Sequence, residues 1–445
     1  MKLTLIYDEM GKKMDNLSLK NRDLKNIWHP CTQMKDHERL PLIPIKQAKG
    51  VYLEDFDGNR YIDAVSSWWV NLFGHQHPYI KSKIAEQLDS LEHIIFAGFT
   101  HEPIVRLSER LVELTPSNLT KCFYADNGSS AIEVAIKMSF HHNKNRGLTK
   151  PYFVSLNNSY HGETIGALSL GDLGIYKESY EEMLIRSIKT DVPKDKSEEE
   201  AIRAAEKLKE IFKERAFEIS AFVVEPLVQC AGNMHMYSPL FLKLASELCN
   251  EFDVHFIADE IAVGFGRTGN MFACEQAGIK PDFMALSKGI TGGFLPLSVV
   301  LLTEEMYDSF YCDYNEHKSF LHSHSYTGNA LACAAANAVL DIFENDDVLN
   351  KNREKISYIG KKLKEFSKLE NVENIRQMGM IAAFDIKGFE SKERIGLRVY
   401  EYGLKNGVLL RPLGNTIYFM PPYVISFEEI DKMMDTAYEA VSLLS

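Results

Sequence analysis

Two side chains define the chemistry this chain can attempt: Lys288, in Ala-Leu-Ser-Lys-Gly at 285–289, and Asp259, in Ile-Ala-Asp-Glu at 257–260. Each closes a short apolar run, and they stand 29 positions apart. An amine and a carboxylate carried at the ends of two strands can address the two ends of one aromatic ring. Pyridoxal phosphate (PLP) chemistry uses that pair: the amine captures the aldehyde as a Schiff base, and the carboxylate keeps the ring nitrogen protonated so that the ring draws electrons from Cα. Taken alone, a lysine and an aspartate at strand ends are ordinary solvated caps. The neighbouring residues decide between the readings.

Between the two lies Gly264-Phe265-Gly266-Arg267-Thr268-Gly269, which with Asp259 and Glu260 reads D-E-x-x-x-G-F-G-R-T-G before Ser287-Lys288-Gly289. Here the chain resembles the class III (ornithine and ω-amino acid type) PLP-dependent aminotransferases, and the resemblance runs from about residue 21 to 440. The same six residues satisfy G-x-G-x-x-G, the dinucleotide fingerprint. That reading fails on context: the first glycine comes five residues after Asp259, and the acid at a suitable distance, Asp282, precedes a strand instead of ending one.

The elements that must position these groups are legible from residue 121 onward. Short apolar runs at 121–125, 152–156, 221–225, 254–259, 283–287 and 298–302 alternate with helical patterns from 129, at 201–215 and at 240–252. This is the pattern of an α/β protein with a mainly parallel sheet, its chemistry at the carboxyl ends of the strands. The charged stretch 189–210 reads as a surface insertion leading into a helix. The resemblance implies the PLP-dependent transferase fold type I: a large domain with a mainly parallel seven-stranded sheet (76–334), a smaller α+β domain (335–445), and an N-terminal segment (1–75) packing with the latter.

Composition fits an enzyme of this kind. The 445 residues, 45% hydrophobic, suffice for two domains or one elaborate one. A net charge of -12 leaves no basic footprint for nucleic acid. Seven widely spaced cysteines without a C-x-x-C pair point to reduced thiols in a cytoplasmic setting and to no structural metal site. Residues 1–13 carry no motif and do not read as a secretory signal, so Met14 is an alternative start. No apolar run reaches the roughly 18 residues needed to span a membrane.

Asp126-Asn127-Gly128-Ser129-Ser130 joins a strand to a helix at about 131–140. Either it is a plain serine N-cap, with Glu133 completing a capping box, or the backbone N–H groups cradle a phosphate. The resemblance favours the cradle, with Gly128 and Ser129 on the cofactor. Tyr160, in Tyr160-His161-Gly162, is either a structural ring or one stacked near the pyridine; the resemblance places it at cofactor and substrate. Glu225 faces the site or is structural. His161, His322 and His324 invite assignment as general bases, but the lysine released by an incoming amine already touches Cα. In the family, the loop matching 322–329 crosses a homodimer interface to the partner's PLP phosphate, which implies composite sites. His324 and Ser325 would then bind cofactor and Ser323 substrate, although relatives carry Gly-Pro-Thr where this chain has Ser323-His324-Ser325.

Three further segments resemble the biotin-synthesis branch of the family: Trp28-His29-Pro30, Ser66-Ser67-Trp68-Trp69, and Arg411-Pro412-Leu413-Gly414 with the aromatic run ending at Tyr423. That branch aminates 8-amino-7-oxononanoate to 7,8-diaminononanoate with S-adenosylmethionine as donor. A long apolar keto acid calls for aromatic walls such as Trp68 and Tyr160, and its distant carboxylate for a guanidinium such as Arg411. One of the two adjacent tryptophans is expected in the core. Cys31 stands where relatives have a substrate-binding tyrosine, which leaves lysine open as the amino donor in place of S-adenosylmethionine. A 4-aminobutyrate or ornithine aminotransferase would carry the same Asp-Glu and Lys signatures, and a PLP-binding protein without turnover could retain the fold.

Overall fold

The computed structural model describes residues 14–444; the expectation about residues 1–13 lies outside the described residues. Seven strands form the central sheet: β1 (Leu119–Ala125), β2 (Tyr152–Leu156), β3 (Ser187–Thr190), β4 (Ile219–Val224), β5 (His255–Asp259), β6 (Phe283–Leu286) and β7 (Ser298–Thr303). Their spatial order is β1-β7-β6-β5-β4-β2-β3. Only β7 runs against its neighbours, pairing antiparallel with both β6 and β1. The carboxyl ends of the other six therefore share one edge of the sheet.

The central strands are buried on both faces, which is why they read as continuous apolar runs. Side chains alternate between two cores: Phe222 and Val224 of β4 lie in one, Ala221 and Val223 in the other. The helix Gly128–Asn145 covers the second face through Ile132, Val134 and Ile136. The helices Glu198–Arg215 and Pro239–Glu251 cover the first through Leu208, Phe212, Phe241 and Leu242. The former is well terminated: Ser197 caps its N-terminus, three glutamates occupy the first turn, and Lys213 and Arg215 the last.

Strand β3 corrects the reading of 189–210 as a surface insertion from its start. Ser187–Thr190 pairs with β2 at the sheet edge. Its lysine disguised it. The Lys189 ammonium turns inward to Ser155 Oγ (2.7 Å) and Leu170 O (2.5 Å), and burial brings its pKa down to about 7.

A second sheet joins strands Ile45–Lys49, Tyr52–Asp55 and Arg60–Asp63 to Val408–Leu409, so the N-terminal segment pairs directly with the C-terminal part of the chain. A third, antiparallel sheet is built from Val372–Met378, Ile381–Ile386 and Thr416–Phe419. All seven cysteines are free. Among the described residues, no helix is long and apolar enough to cross a membrane.

Candidate active site

The carboxyl ends of β1, β2, β4, β5 and β6 open into one cavity of about 450 Å³, lined by Gly128, Ser129, Tyr160, Glu225, Asp259 and Lys288, among others. Lys288 follows β6 in a left-handed conformation, φ 44°. The preceding Ser287 hydroxyl donates to Leu297 O (2.9 Å) and fixes this turn against the start of β7. The Lys288 ammonium lies 5.0 Å from the centre of the Trp69 ring. Burial lowers its pKa, opposed first by Asp259 and then by Cys230 and Glu225 to the extent that these ionise. An amine so placed gives up its proton more easily than an exposed lysine, and the neutral form is the nucleophile.

Asp259 ends β5 and is held from two sides. His161 Nδ1 lies 2.7 Å from Asp259 Oδ2, and the Ile261 N–H donates to Oδ1 at 3.2 Å. Its neighbour Glu260 points away and accepts from Ala273 and Cys274 N–H, so it supports the following loop. Glu225 is buried beside Asp259, each carboxyl oxygen accepting one backbone N–H, from Tyr160 (3.0 Å) and Cys230 (3.1 Å). Burial, and then the Asp259 carboxylate, push its pKa up to about 8.

At the end of β1 the N-cap is Asn127, whose side chain accepts from Ser130 N–H. The alternative of a plain serine cap completed by Glu133 therefore does not hold. Glu133 instead accepts from Gly166 and Ala167 N–H, at the start of the helix Ile165–Leu170. The N–H groups of Gly128 and Ser129 are left without intrahelical acceptors. Close approach matters here: a Cβ at Gly162, where φ is 126°, would stand 2.1 Å from Ser129 Oγ.

A family model for the class-III aminotransferases matches residues 33–441. The chain belongs to the class III aminotransferases. An adenosylmethionine-8-amino-7-oxononanoate aminotransferase of Helicobacter pylori is 53% identical over 417 residues, covering 92% of this chain and 94% of its own. The enzyme of that name from Geobacter sulfurreducens is 42% identical, covering 95% and 96%. The crystal structure of an adenosylmethionine-8-amino-7-oxononanoate aminotransferase from Methanocaldococcus jannaschii superimposes with a TM-score of 0.92 at 36% identity, covering 96% of this chain and 99% of that one. Class III aminotransferases depend on PLP, and the residues present fit it. One cavity combines a free amine, a carboxylate braced by histidine and unpaired helix-start N–H groups beside glycine.

Outward from the cavity of this aminotransferase, the Tyr160 hydroxyl donates to Glu163 Oε1 (3.0 Å), and Cys31 Sγ lies 3.8 Å from the same oxygen. Tyr176 meets Tyr160 edge-on, ring centres 5.6 Å apart. Burial raises the Cys31 pKa, and Glu163 adds to the effect. Arg411 sits 5.4 Å over the Trp68 ring and makes no hydrogen bond or ion pair among the described residues. Trp68 is 40% exposed and Trp69 only 4%, so one of the pair is indeed core, yet Trp69 also lines the cavity.

The remaining expected residues lie apart. Ser323 and Ser325 are exposed and do not line the cavity of their own chain. His324 Nε2 comes within 4.0 Å of Asp126 at the cavity's edge, while His322 is engaged by Lys137 (2.8 Å). Arg267 of the glycine-rich motif is buried and donates to the carbonyls of Pro421, Trp69 and Asn71. Sequence reasoning missed Trp69 beside Lys288, His161 as the brace of Asp259, and Glu163 with Tyr176. Only the spacing Tyr-x-x-Glu at 160–163 offered a signal for any of them.

Proposed function

We propose that this aminotransferase aminates 8-amino-7-oxononanoate to 7,8-diaminononanoate in biotin synthesis, with S-adenosylmethionine as the amino donor. The observation that carries the reading is the reach of the site: Lys288 and Asp259 share the inner cavity, while the unpaired Arg411 guanidinium waits on Trp68 further out, as a long carboxylate substrate requires. The names of the Helicobacter and Geobacter relatives support it.

PLP, when bound, supplies an aldehyde for amine capture and a ring that withdraws electrons from the amine-bearing carbon. Lys288 would hold the group through its aldehyde and, when freed by the donor amine, would serve as the base at Cα. Asp259, oriented by His161, would keep the ring nitrogen protonated. Gly128 and Ser129 would hold the phosphate through N–H and hydroxyl groups. Tyr160 and Trp68 wall the substrate chain, Arg411 takes its carboxylate, and Cys31 lies at the donor end beside Glu163.

The active unit on this reading is a homodimer with composite sites, the loop 322–329 offering Ser323, His324 and Ser325 to the partner's cofactor. The exposed Ile95, Phe99 and Tyr326 support it. Mixing Lys288→Ala chains with a Ser325 variant crippled in cofactor binding should then restore activity. Verified subunit exchange without recovery refutes the shared site. The test of function is a half-reaction screen: S-adenosylmethionine should bleach the long-wavelength absorbance of the loaded enzyme, and 8-amino-7-oxononanoate should restore it. Bleaching by lysine, 4-aminobutyrate or ornithine and not by S-adenosylmethionine overturns the donor assignment.

A further inference from the structure

Ser66–Trp69 runs through four consecutive left-handed residues, with φ of 50°, 47°, 70° and 75°. None is glycine. Left-handed backbone is unfavourable wherever a Cβ is present, and such a run persists only when its surroundings hold it. They do. The Ser66 hydroxyl donates to Met420 O (2.7 Å), the Ser67 hydroxyl to Asp63 Oδ2 (2.7 Å), and the Trp69 indole N–H to the Tyr418 hydroxyl (3.2 Å). Arg267 then clamps the exit by donating to Trp69 O (3.2 Å) and Asn71 O (2.9 Å). The turn presents one indole to each unpaired cation of the site: Trp69 to Lys288 at 5.0 Å and Trp68 to Arg411 at 5.4 Å.

We propose that Trp69 is a positioning residue for Lys288, its indole face holding the amine in the cavity, and that the left-handed turn is the device that delivers this face. The inference rests on the reading of Lys288 as the cofactor-binding lysine. Four surroundings bear on the amine: Asp259 at the end of β5, Glu225 after β4, Cys230 beyond it, and the Trp69 ring. Burial disfavours the ammonium, whereas the Asp259 carboxylate, Cys230 and Glu225 whenever they ionise, and the electron-rich ring face favour it. The ring differs from a carboxylate partner in accepting no directed hydrogen bond. It steadies the cation yet lets the amine go once it is neutral, which suits a group that must engage and release a cofactor in every turnover.

The test uses cofactor-free enzyme and follows the absorbance change on adding PLP as a function of pH, since only the neutral amine attacks the aldehyde. Trp69→Leu should move the midpoint of the rate profile to lower pH by about 0.4 to 1.5 units, and Trp69→Phe, which keeps a ring face, by less. A Trp69→Leu profile that coincides with the parent's overturns the proposal. If that variant does not fold, biosynthetic replacement of tryptophan by fluorinated analogues weakens the ring face at constant shape. Of the three tryptophans only Trp69 faces Lys288. A midpoint that falls with each added fluorine supports the proposal, and an unmoved one overturns it. Lys288→Ala separates the two readings. Continued covalent capture in that variant removes Lys288 from its role, whereas a parental profile in Trp69→Leu with capture intact sinks the tryptophan inference alone.

Discussion

Glu225→Gln should change how stability depends on pH. Both carboxyl oxygens of Glu225 accept buried backbone N–H groups, and burial with the Asp259 carboxylate raises its pKa from the ordinary 4.5 to about 8. The unfolded chain therefore loses this proton near pH 4.5, while the folded chain keeps it to about 8. Across that window the native state binds more protons, so this residue's contribution is full below pH 4.5, declines as pH rises, and is exhausted above about 8. At about 1.4 kcal/mol per pH unit, the interval sets a ceiling of about 5 kcal/mol on the decline. A glutamine has no proton to lose. It keeps one acceptor and turns an amide toward the other N–H, at a pH-independent cost of about 1 to 3 kcal/mol. Urea unfolding of cofactor-free parent and variant through the window reads both terms. The parent's advantage should shrink as pH rises and reverse if the ceiling is approached. A parent-to-variant difference independent of pH refutes the reasoning, because Glu225 would then be charged throughout.

Lys288→Ala should still bind PLP through the phosphate cradle but lose the covalent absorbance band and multiple turnover; near-parental turnover would remove Lys288 from catalysis. Arg411→Ala removes a bidentate partner worth roughly 1.5 to 3 kcal/mol, so KM for the keto acid should rise roughly ten- to hundredfold with kcat changed less. A KM within twofold of the parent's assigns the carboxylate elsewhere. His255 packs edge-on against His142, 5.0 Å away, and burial holds its pKa down to about 3. It remains neutral in the fold below pH 6.5 while the unfolded chain takes up a proton, so stability is lost as pH falls from 6.5 toward about 3. His255→Asn should therefore shift acid unfolding, followed by tryptophan fluorescence, to lower pH relative to its stability at neutral pH; an unchanged difference counts against it.

The sheet was readable because its physics is local. Six of the seven strands are short apolar runs at the expected positions, and parallel strands covered on both faces leave that mark. The seventh escaped because its one charged residue, Lys189, is satisfied by the Ser169 and Leu170 carbonyls, 20 and 19 positions back, outside a strand-length window. The cap of the helix Gly128–Asn145 was obscured in the same way. Asn127, Ser129 and Glu133 all suit an N-cap motif, and only the approach of the helix Ile165–Leu170 shows that Glu133 serves a second helix.

The site divides along the same line. The cavity brings Lys288, Asp259, Gly128, Ser129 and Tyr160 together because each ends or closely follows a strand, and strand ends meet at one edge of a parallel sheet. Their partners were not. His161 is 98 positions from Asp259, and Cys31 is 132 from Glu163. The two tryptophans mark the limit most sharply. Alternation along a strand, or the angular step of a right-handed helix, would assign one indole to the core and the other to solvent. Ser66–Trp69 follows neither rule, since all four residues are left-handed at a local cost of about 1 to 2 kcal/mol each. That strain is sustained by Met420, Asp63, Tyr418 and Arg267, three of them far along the chain. Which indole meets Lys288 and which meets Arg411 is therefore set by a backbone conformation that the local sequence disfavours, and it becomes decidable only when the whole chain has closed around it.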